Sequence, residues 1–496
     1  MHTSTFLLTV LVSFLSLAQS YASELTASKP NIILILTDDQ GYGDLACHGH
    51  PFVKTPHIDK LYSESTRFTD YHMSPTCAPS RAGLMSGLAP FKVGVTHTVF
   101  DRERMALGYS TVADILKESG YATGIFGKWH LGDDTPYQPQ SRGFDEVFIH
   151  GGGGIGQQWD APKNTYQDPI IRHNGTFVKT EGFCTDVFFI QSMSWMKKQH
   201  DNNKPFLSFI SLNAPHGPFH APEKYKAMYE GINEKIKDPG FFGMITNIDD
   251  NVGTLIKKLD EWGMADNTLI IFMTDNGSVK SKHYNAGMKG GKNSPTEGGS
   301  RTPFFLRLPN KIKAGVDIHT LTRHYDILPT FASLAGADVS GMKLDGRDLL
   351  PLIENPDSKW EERNTYIHCG RWGDKNAKQK KHQINPSPEE GKYVKFAVRN
   401  EKWRLVGLSE NKISLYNIQT NPDERINVAG QHPEVVANLL NPTRTGGMKP
   451  ALSWLTTVSN RTKHYFSKKP ILNSKKLAAY QNGKSHRSRP KISTDI

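Results

Sequence analysis

The sequence predicts an α/β fold in which helices cover both faces of a mainly parallel sheet, followed by a smaller C-terminal α+β domain. Continuous apolar runs of strand length recur through roughly the first 350 residues, as in strands that are buried on both faces. Helical stretches separate these runs, and such alternation is typical of parallel sheets. Beyond that point the apolar segments are short and separated by turns, which indicates antiparallel strands.

The individual strands and helices follow from these runs. The strands of the large sheet are expected at residues 31–36, 122–126, 206–212, 268–273 and 304–308. Helices are expected at residues 112–118 and 245–262. The shorter C-terminal strands are expected at residues 393–398, 403–408 and 414–418. In sheets of this kind, functional side chains gather beyond the carboxyl ends of the strands.

The length of 496 residues favours two domains, because such a chain can bury one large core and one smaller core. We expect a signal peptide at residues 1–22, a large N-terminal domain at 23–353, a smaller α+β domain at 354–455 and a basic tail at 456–496. No internal repeat is visible in the sequence.

The first 22 residues have the features of an export signal. An apolar stretch at residues 6–17 precedes small residues around Ser20 and Ala22, where a signal peptidase would cleave. This stretch is too short to span a bilayer, and no later segment has the ~20 apolar residues of a transmembrane helix. We therefore expect an exported protein, periplasmic or secreted, without a membrane span. Because no Lys or Arg precedes the apolar stretch, an uncleaved membrane anchor is the alternative.

The formal net charge of +11 is concentrated near the C-terminus. Residues 461–496 contain ten Lys or Arg and one acid, so this segment carries +9 and the rest of the chain only +2. The segment is rich in Ser and Asn, as is typical of a solvated extension. Weak attraction to anionic polysaccharide is a secondary hypothesis for it, whereas we do not expect an exported protein to bind nucleic acid.

Single cysteines, not paired ones, draw attention in this sequence. The four cysteines are Cys47, Cys77, Cys184 and Cys369. They form no Cys-x-x-Cys pair of the kind that would suggest a zinc site or a disulfide framework. Cys77 stands two residues before Pro79 at a predicted helix start, where backbone N–H groups and the helix dipole would lower the pKa of its thiol. A buried structural cysteine at a turn explains the same residues equally well.

The segment Cys77-x-Pro79-Ser80-Arg81 resembles the signature of the type I sulfatases, in which the cysteine is oxidised to Cα-formylglycine (3-oxoalanine). Further blocks resemble sulfatase motifs at residues 37–41, 127–132, 214–219, 274–277, 290–292 and 297–303. The resemblance covers about residues 30–430 and implies an alkaline phosphatase-like fold with a large mixed sheet in a catalytic N-terminal domain. It also implies a partner that modifies Cys77, a formylglycine-generating or sulfatase-maturating enzyme.

Oxygen ligands follow two of the predicted strands. Asp38 and Asp39 follow the first, and Asp275 and Asn276 follow the fourth. Such ligands suit Ca²⁺ or Mg²⁺ and do not suit zinc. Singly, the first pair is explained by a helix cap and the second by a turn, but at the ends of parallel strands they converge on one site. The sulfatase resemblance places one calcium ion per subunit on these four residues and Cys77.

Lys128, Lys292 and Arg81 are candidates for the fixed positive charge that an anionic sulfate ester requires. A solvated surface charge is the ordinary alternative, but both lysines stand among glycines, which permit close approach. His130 and His216 carry no signal of their own, and only the resemblance makes them the two catalytic histidines. The resemblance also assigns substrate binding to Lys128, His216 and Lys292.

The mechanism that the resemblance implies is covalent catalysis in two steps. One hydroxyl of hydrated formylglycine at position 77 would attack sulfur, while His216, with Lys292, protonates the departing alcohol oxygen. His130 would then deprotonate the second hydroxyl, so that sulfate leaves by elimination and the aldehyde is restored.

The predicted function is therefore hydrolysis of sulfate esters on a sulfated polysaccharide or oligosaccharide. The alternatives are a phosphodiesterase or phosphonate monoester hydrolase of the same superfamily, and a non-catalytic protein that binds sulfated glycans. Residues 151–160 and 368–372 contain Trp159 and Trp372, whose aromatic faces suit sugars. Ordinary positions in the core or in a lid explain these two tryptophans as well.

Deletion of residues 461–496 should separate charge from catalysis. No predicted site residue lies beyond Lys292, so we expect unchanged turnover of a small aryl sulfate. On a sulfated polysaccharide we expect a loss that disappears as salt is raised, because screening at a Debye length of ~8–10 Å weakens attraction to the polyanion. Sulfate release from both substrates measures this. Equal losses on both would mean that the tail packs against the catalytic domain.

Overall fold

The computed structural model of the chain describes residues 24–99, 102–157, 160–234, 236–370, 395–409 and 412–440. The predicted signal peptide and basic tail lie outside these residues. Among the described residues, no helix combines the length and the apolar character needed to cross a membrane.

The described residues form sixteen strands. They are β1 (Asn31–Thr37), β2 (Thr66–Phe68), β3 (Tyr71–His72), β4 (Ala122–Lys128), β5 (Glu146–His150), β6 (Ile170–His173), β7 (Thr176–Lys179), β8 (Phe206–Ser211), β9 (Thr268–Thr274), β10 (Phe304–Arg307), β11 (Val316–Ile318), β12 (Thr322–Arg323), β13 (Thr365–His368), β14 (Phe396–Arg399), β15 (Trp403–Ser409) and β16 (Lys412–Asn417).

The α-helices of the described residues are α1 (Glu24–Ala27), α2 (Pro56–Ser63), α3 (Cys77–Ser86), α4 (Val112–Glu118), α5 (Cys184–Asp201), α6 (Glu223–Lys226), α7 (Pro239–Glu261), α8 (Glu297–Ser300), α9 (Ile327–Ala335), α10 (Leu350–Glu354) and α11 (Pro433–Leu440). Short 3₁₀ helices lie at Ala46–His48, Pro90–Val93, Thr135–Tyr137, Pro139–Arg142, Ala265–Asn267 and His324–Asp326.

Ten strands form one large mixed sheet in the order β11-β2-β10-β9-β1-β8-β4-β5-β6-β7. The five central strands, from β9 to β5, are all parallel, whereas β10 joins β9 antiparallel and β6 joins β5 antiparallel. The carboxyl ends of the parallel strands therefore meet at one edge of the sheet. The predicted α/β class, with a mixed and mainly parallel sheet, is confirmed.

Helices cover both faces of this sheet, and alternate side chains of β1 show why. Ile32 and Leu34 point into a core that also contains apolar residues of α3, α4 and α9. Ile33 and Ile35 point into the opposite core, with residues of α2, α5 and α7. All four side chains are fully buried. A strand enclosed on both faces must be apolar at every position, which is the continuous run that predicted it.

The C-terminal part contains a separate antiparallel sheet in the order β13-β14-β15-β16. One face of this sheet packs against α11, where Leu439 meets residues of β14, β15 and β16. The short antiparallel strands that the sequence predicted are therefore present, together with β13, which was not predicted. Residues 393 and 394 of the first predicted strand lie outside the described residues.

The structure has one helix that starts earlier than predicted and several features of the sheet that the sequence did not predict. Helix α7 begins at Pro239, six residues before the predicted start, because Gly240 and Gly243 hid the helical pattern. The last predicted strand of the large sheet, β10, is antiparallel to its neighbours. Strands β6 and β7 were missed because they form a short, partly exposed hairpin without a strong apolar run. Strand β5 was missed as well.

A methyl group at Gly127 should disrupt the packing of β4 on β8. Gly127 has φ 115°, and a Cβ there would overlap the carbonyl oxygen of Ser211. Because backbone cannot rotate away, we expect Gly127→Ala to lower the free energy of unfolding by about 3 kcal/mol or more. Urea unfolding followed by fluorescence measures the loss.

Gly120→Ala is the matched control. Gly120 also has a positive φ, of 92°, but a Cβ there meets no atom within 4 Å. Only the backbone strain of about 1–2 kcal/mol should remain. Equal losses in the two variants would contradict the packing argument.

Candidate active site

The carboxyl ends of two neighbouring parallel strands bring the predicted metal ligands together. Thr37 of β1 pairs with Thr274 of β9, so the residues that follow each strand lie side by side. Ligand atoms of four of the five predicted residues lie within 4.8 Å of one another: Asp38, Asp39, Cys77 and Asp275. All four residues are buried. The fifth, Asn276, joins them through a 3.0 Å hydrogen bond from its Nδ2 to Asp39 Oδ1.

Cys77 is the first residue of α3, and Thr76 precedes the helix as its N-cap. Its Sγ lies 3.7 Å from Asp39 Oδ1, and only 1% of the residue is exposed. Burial raises the pKa of the Cys77 thiol to about 12, although Lys128 and Lys292 oppose the shift. The predicted helix start is confirmed, but the expectation that the thiol pKa would be lowered was wrong. Desolvation outweighs the positive charge of the two lysines, so an unmodified Cys77 remains a thiol.

The cluster has the features of a divalent-cation site. Asp38 Oδ1 and Asn276 Oδ1 are buried and, among the described residues, accept no hydrogen bond. Burial and the Asp38 carboxylate raise the pKa of Asp275 to about 7, against the effect of Arg81. A cation would satisfy the two oxygens and favour the ionised form of Asp275. Carboxylate and amide oxygens are the donors that Ca²⁺ and Mg²⁺ prefer.

Two lysines pair with carboxylates of the cluster. Lys128, the last residue of β4, places Nζ 2.6 Å from Asp38 Oδ2. Lys292 places Nζ 2.5 Å from Asp39 Oδ2. Burial alone would raise the pKa of Asp39, but the positive charge of Lys292 and its neighbours holds that pKa well below its ordinary value. Burial also opposes charge on Lys292, yet Asp39 raises the lysine pKa above its ordinary value. Lys292 therefore remains an ammonium group beside an ionised carboxylate.

Arg81 lies one turn along α3 from Cys77 and is almost fully buried. Its guanidinium donates to Asp275 Oδ2 at 3.1 Å, to the Leu212 carbonyl at 3.2 Å, and to Ser211 Oγ. These acceptors belong to the ends of β8 and β9. The guanidinium of Arg81 is thus bonded to protein acceptors, and it fixes Asp275 and the strand ends to α3.

His216 lies at the mouth of the site, with 17% of its side chain exposed. Its Nδ1 lies 2.6 Å from the Gly217 carbonyl, which can only accept, so Nδ1 carries the hydrogen in the neutral ring. Nε2 is then free to accept a proton and lies 3.6 Å from Asp39 Oδ2. Burial lowers the pKa of His216 to about 4, against the effect of Asp39. A bound anion would raise this pKa.

Tyr166 holds the backbone around His216, and the sequence gave no indication of this. Its hydroxyl lies 3.0 Å from the His216 carbonyl oxygen and 3.1 Å from the Gly217 carbonyl oxygen, and its one hydrogen is shared between them. The second carbonyl is the one that accepts from the imidazole. Tyr166 stands between Pro162 and Pro169 in a stretch without periodicity, so only the tertiary structure reveals the contact.

His130 follows β4 in a left-handed backbone conformation, with φ 62°. Its Nε2 lies 3.0 Å from the Thr98 carbonyl and therefore carries the hydrogen, which leaves the lone pair on Nδ1. Nδ1 is buried and has no hydrogen-bond partner among the described residues. Burial, with a further effect of Lys128, lowers the pKa of His130 well below its ordinary value. The ring is a neutral base at physiological pH.

A glycine-rich segment, residues 151–154, packs against both histidines. A Cβ at Gly153 would lie 3.6 Å from His130 Cε1, and one at Gly154 would lie 3.2 Å from His216 Nδ1. Glycine permits this close approach of backbone to the two rings. The tryptophans proposed to contact sugar, Trp159 and Trp372, lie outside the described residues.

The fold and the site together define an α/β protein that can hold a divalent cation beside Cys77, with ammonium groups for an anion and neutral histidines for proton transfer. Comparison with known proteins narrows this class. The family model Sulfatase matches residues 30–337, and the model N-sulphoglucosamine sulphohydrolase, C-terminal matches residues 292–440. Since the first match covers more than half of the chain, the protein belongs to the sulfatase family.

Individual relatives agree with this assignment. N-acetylgalactosamine-6-sulfatase of Canis lupus familiaris is 31% identical over 356 residues, which are 65% of this chain and 66% of the relative. Arylsulfatase A of Homo sapiens is 32% identical over 353 residues, 66% of this chain and 68% of the relative. The crystal structure of Ps i-CgsB in complex with k-i-k-neocarrahexaose has a TM-score of 0.72 and 27% identity, covering 92% of this chain and 98% of that chain.

Removal of divalent cations should destabilise the protein, because the cation counters repulsion among buried carboxylates. At a free-cation concentration one hundred times Kd, binding should contribute about 2.7 kcal/mol to the free energy of unfolding. Thermal unfolding before and after dialysis against chelator measures this, with Ca²⁺ or Mg²⁺ added back. Zinc should not restore the lost stability well.

Asp38→Asn should reduce the response to chelator, whereas Asp201→Asn should leave it unchanged. Asp201 is the control because it is exposed at the end of α5, where it pairs with Lys197. Stoichiometric zinc in the purified protein, or a thermal midpoint that is indifferent to chelator, would contradict the assignment.

Proposed function

We propose that the protein is a sulfuric ester hydrolase that acts on sulfated carbohydrate after conversion of Cys77 to formylglycine. One observation carries the proposal: Cys77 starts a buried helix directly beside the candidate cation ligands, with Lys128 and Lys292 on the adjoining carboxylates. An unmodified thiol of raised pKa in this position is a poor nucleophile. Hydrated formylglycine would supply a hydroxyl nucleophile, and the proposed calcium ion, one per subunit, would supply Lewis acidity.

The residues of the chain would then divide into ligands, anchors and proton carriers. Asp38, Asp39, Asp275 and Asn276, with residue 77, would hold the cation. Lys128 and Lys292 would bind the sulfate oxygens, since each presents an ammonium group at the cluster. Arg81 would act through Asp275 and the strand ends, because its guanidinium donates to protein acceptors.

The two histidines would move protons on opposite sides of the reaction. Once an anionic ester lies against Nε2 of His216, its field favours the protonated ring, which can then donate to the departing alcohol oxygen with Lys292 beside it. His130 would accept the proton of the second hydroxyl through Nδ1, the nitrogen that carries the lone pair. This division matches the exposure of the rings, because His216 lies at the mouth and His130 is buried.

A sulfated carbohydrate is the substrate class that the comparisons support. Ps i-CgsB was crystallised with a neocarrahexaose, and the canine relative is named for a 6-sulfated N-acetylgalactosamine. Export to the periplasm or the medium, the division at residues 353 and 354, and a maturation enzyme as partner belong to the same proposal.

Cys77→Ala should fold normally and lose sulfate release, because no hydroxyl nucleophile can form at alanine. Sulfate release from an aryl sulfate and from sulfated oligosaccharides measures the loss, and thermal unfolding checks the fold. Mass spectrometry of the peptide around residue 77 should show the aldehyde in the active wild-type protein. Cys47→Ala, which changes a cysteine outside the cluster, is the control and should keep activity.

Substantial sulfate release by Cys77→Ala would overturn the mechanism. Comparison of matched aryl sulfate, phosphodiester and phosphonate monoester substrates distinguishes the proposal from its enzymatic alternative. If kcat/KM were higher for either phosphorus ester than for the aryl sulfate, the protein would be a phosphodiesterase or phosphonate monoester hydrolase, and the proposed function would be wrong. Binding of sulfated glycan without turnover by protein that carries formylglycine would support the non-catalytic alternative.

A further inference from the structure

Lys292 reaches the site on a segment that has little structure of its own. This segment, residues 289–301, includes Gly290, Gly291, Gly298 and Gly299. Its regular secondary structure is the four-residue helix α8. Glycine-rich backbone of this kind has high conformational entropy when it is unsupported. The position of the Lys292 ammonium therefore depends on the contacts that hold the segment from outside.

Three residues of the C-terminal sheet line up against this segment. Arg399 of β14 pairs with Arg404 of β15, which in turn pairs with Tyr416 of β16. Residues directly opposite one another on neighbouring antiparallel strands project from the same face of the sheet. The row Arg399, Arg404 and Tyr416 therefore forms a single surface, which we call the arginine row.

Arg404 makes the densest contacts of the row and is fully buried. Its Nε donates to the Pro295 carbonyl at 3.0 Å, and Nη1 donates to Glu297 Oε1 at 2.5 Å. Its Nη2 donates to Ser300 Oγ at 2.9 Å. One planar side chain thus fixes three points of the segment, from just after Lys292 to the end of α8.

The rest of the row and Glu424 hold both ends of the segment. Arg399 Nε donates to Glu297 Oε1 at 3.1 Å, and the Glu297 backbone N–H donates to Glu424 Oε2 at 2.9 Å. At the other end, Lys289 Nζ donates to the Tyr416 hydroxyl at 3.1 Å and to the Glu424 carbonyl at 3.2 Å.

The chemistry of these contacts favours a positioning role over a stabilising one. Burial of arginine and glutamate has a large desolvation cost, and apolar packing of the same volume is often at least as stable. A guanidinium, however, fixes its acceptors in direction as well as in distance. The benefit that distinguishes this network from apolar packing is the geometry of the segment, and hence the placement of the Lys292 ammonium.

We propose that Arg404 is a positioning residue for Lys292. Through Arg404 the C-terminal domain would complete the active site, although Arg404 itself would not contact the substrate. The proposal rests on the hydrolase function proposed above. It assigns to the small antiparallel sheet an indirect role in catalysis. The backbone N–H groups of Lys292 and Asn293 donate to the Ser278 and Pro75 carbonyls, but loss of Arg404 frees residues 295–300, so that the Lys292 ammonium is no longer held in place on Asp39.

The first test compares Arg404→Met with Arg363→Met in the full-length matured enzyme. Arg363 is the matched control because it pairs with Asp326 at the boundary of the same two domains, and its hydrogen bonds go to Asp326 and Leu321. Misplacement of a catalytic group should lower kcat/KM for para-nitrophenyl sulfate roughly ten- to one-hundredfold in Arg404→Met. Arg363→Met should change it little at a temperature where both variants are folded. Equal effects of the two would overturn the proposal.

A double-mutant cycle with Lys292→Met separates positioning from general destabilisation. If Arg404 acts through Lys292, Arg404→Met should cause no further loss in the Lys292→Met background. If the loss of kcat/KM in the double variant equalled the product of the two single losses, Arg404 would act independently of Lys292, and the proposal would be wrong. Arg404→Lys keeps the positive charge but cannot reach the three acceptors, so it replaces Arg404→Met in the cycle if the latter does not fold.

Hydrogen exchange tests the same proposal without any activity. Amides of residues 289–301 should exchange faster in Arg404→Met than in the wild type, and in Arg363→Met they should not. Unchanged exchange in Arg404→Met would overturn the positioning role even if activity fell. Should the wild-type protein release no sulfate at all, the proposed function fails, while the exchange result still decides whether the arginine row holds the segment.

Discussion

Three carboxylates buried at the ends of two parallel strands impose the constraint on which the rest of the structure depends. Asp38, Asp39 and Asp275 are between 0% and 1% exposed, and buried charge is tolerated only where opposite charge is close. That charge arrives from different elements: Arg81 on α3 and Lys128 at the end of β4. Lys292 comes from the segment 289–301, and a divalent cation would complete the charge balance. The carboxylate cluster is therefore stable only when these distant parts of the chain have all folded around it.

Two residues at this place, Asp39 and His130, have a left-handed backbone. Asp39 has φ 66° and His130 has φ 62°, a region that residues with a Cβ enter at a cost of order 1–3 kcal/mol. Each follows a central strand by two residues, where the chain must turn away from the sheet while keeping its side chain over the strand ends. At the first of these turns, a 3.1 Å hydrogen bond from the Asp39 backbone N–H to Asp275 Oδ1 offsets part of the strain. Helices packed on both faces hold the strands while the ends stay strained.

Much of the fold was readable in the sequence because its central strands are enclosed on both faces. Strands β1 and β9 are uninterrupted apolar runs that end in acidic residues, and this pattern predicted both the sheet and the candidate ligands. The hairpin of β6 and β7 has exposed positions and no such run, although Asn174-Gly175 at its tip was an available turn signal. The contacts of Tyr166, and the support of the 289–301 segment by Arg404, join residues about 50 and more than 100 positions apart. No local pattern encodes such contacts.

The thiol pKa of Cys77 was misjudged for a related reason. The predicted helix start was correct, but the burial imposed by the whole domain raises the thiol pKa that the helix start was expected to lower.

The 1% exposure of Cys77 has a consequence for the order of events in the life of the chain. Every residue of α3 is buried, so within the described residues the backbone around position 77 is closed to the modifying enzyme that we propose. The proposed oxidation therefore has to precede the packing of α3 into the N-terminal domain. Synthesis, modification and folding would form a sequence that cannot be rearranged: a chain that folds first would keep its thiol permanently, as a well-ordered but inert protein.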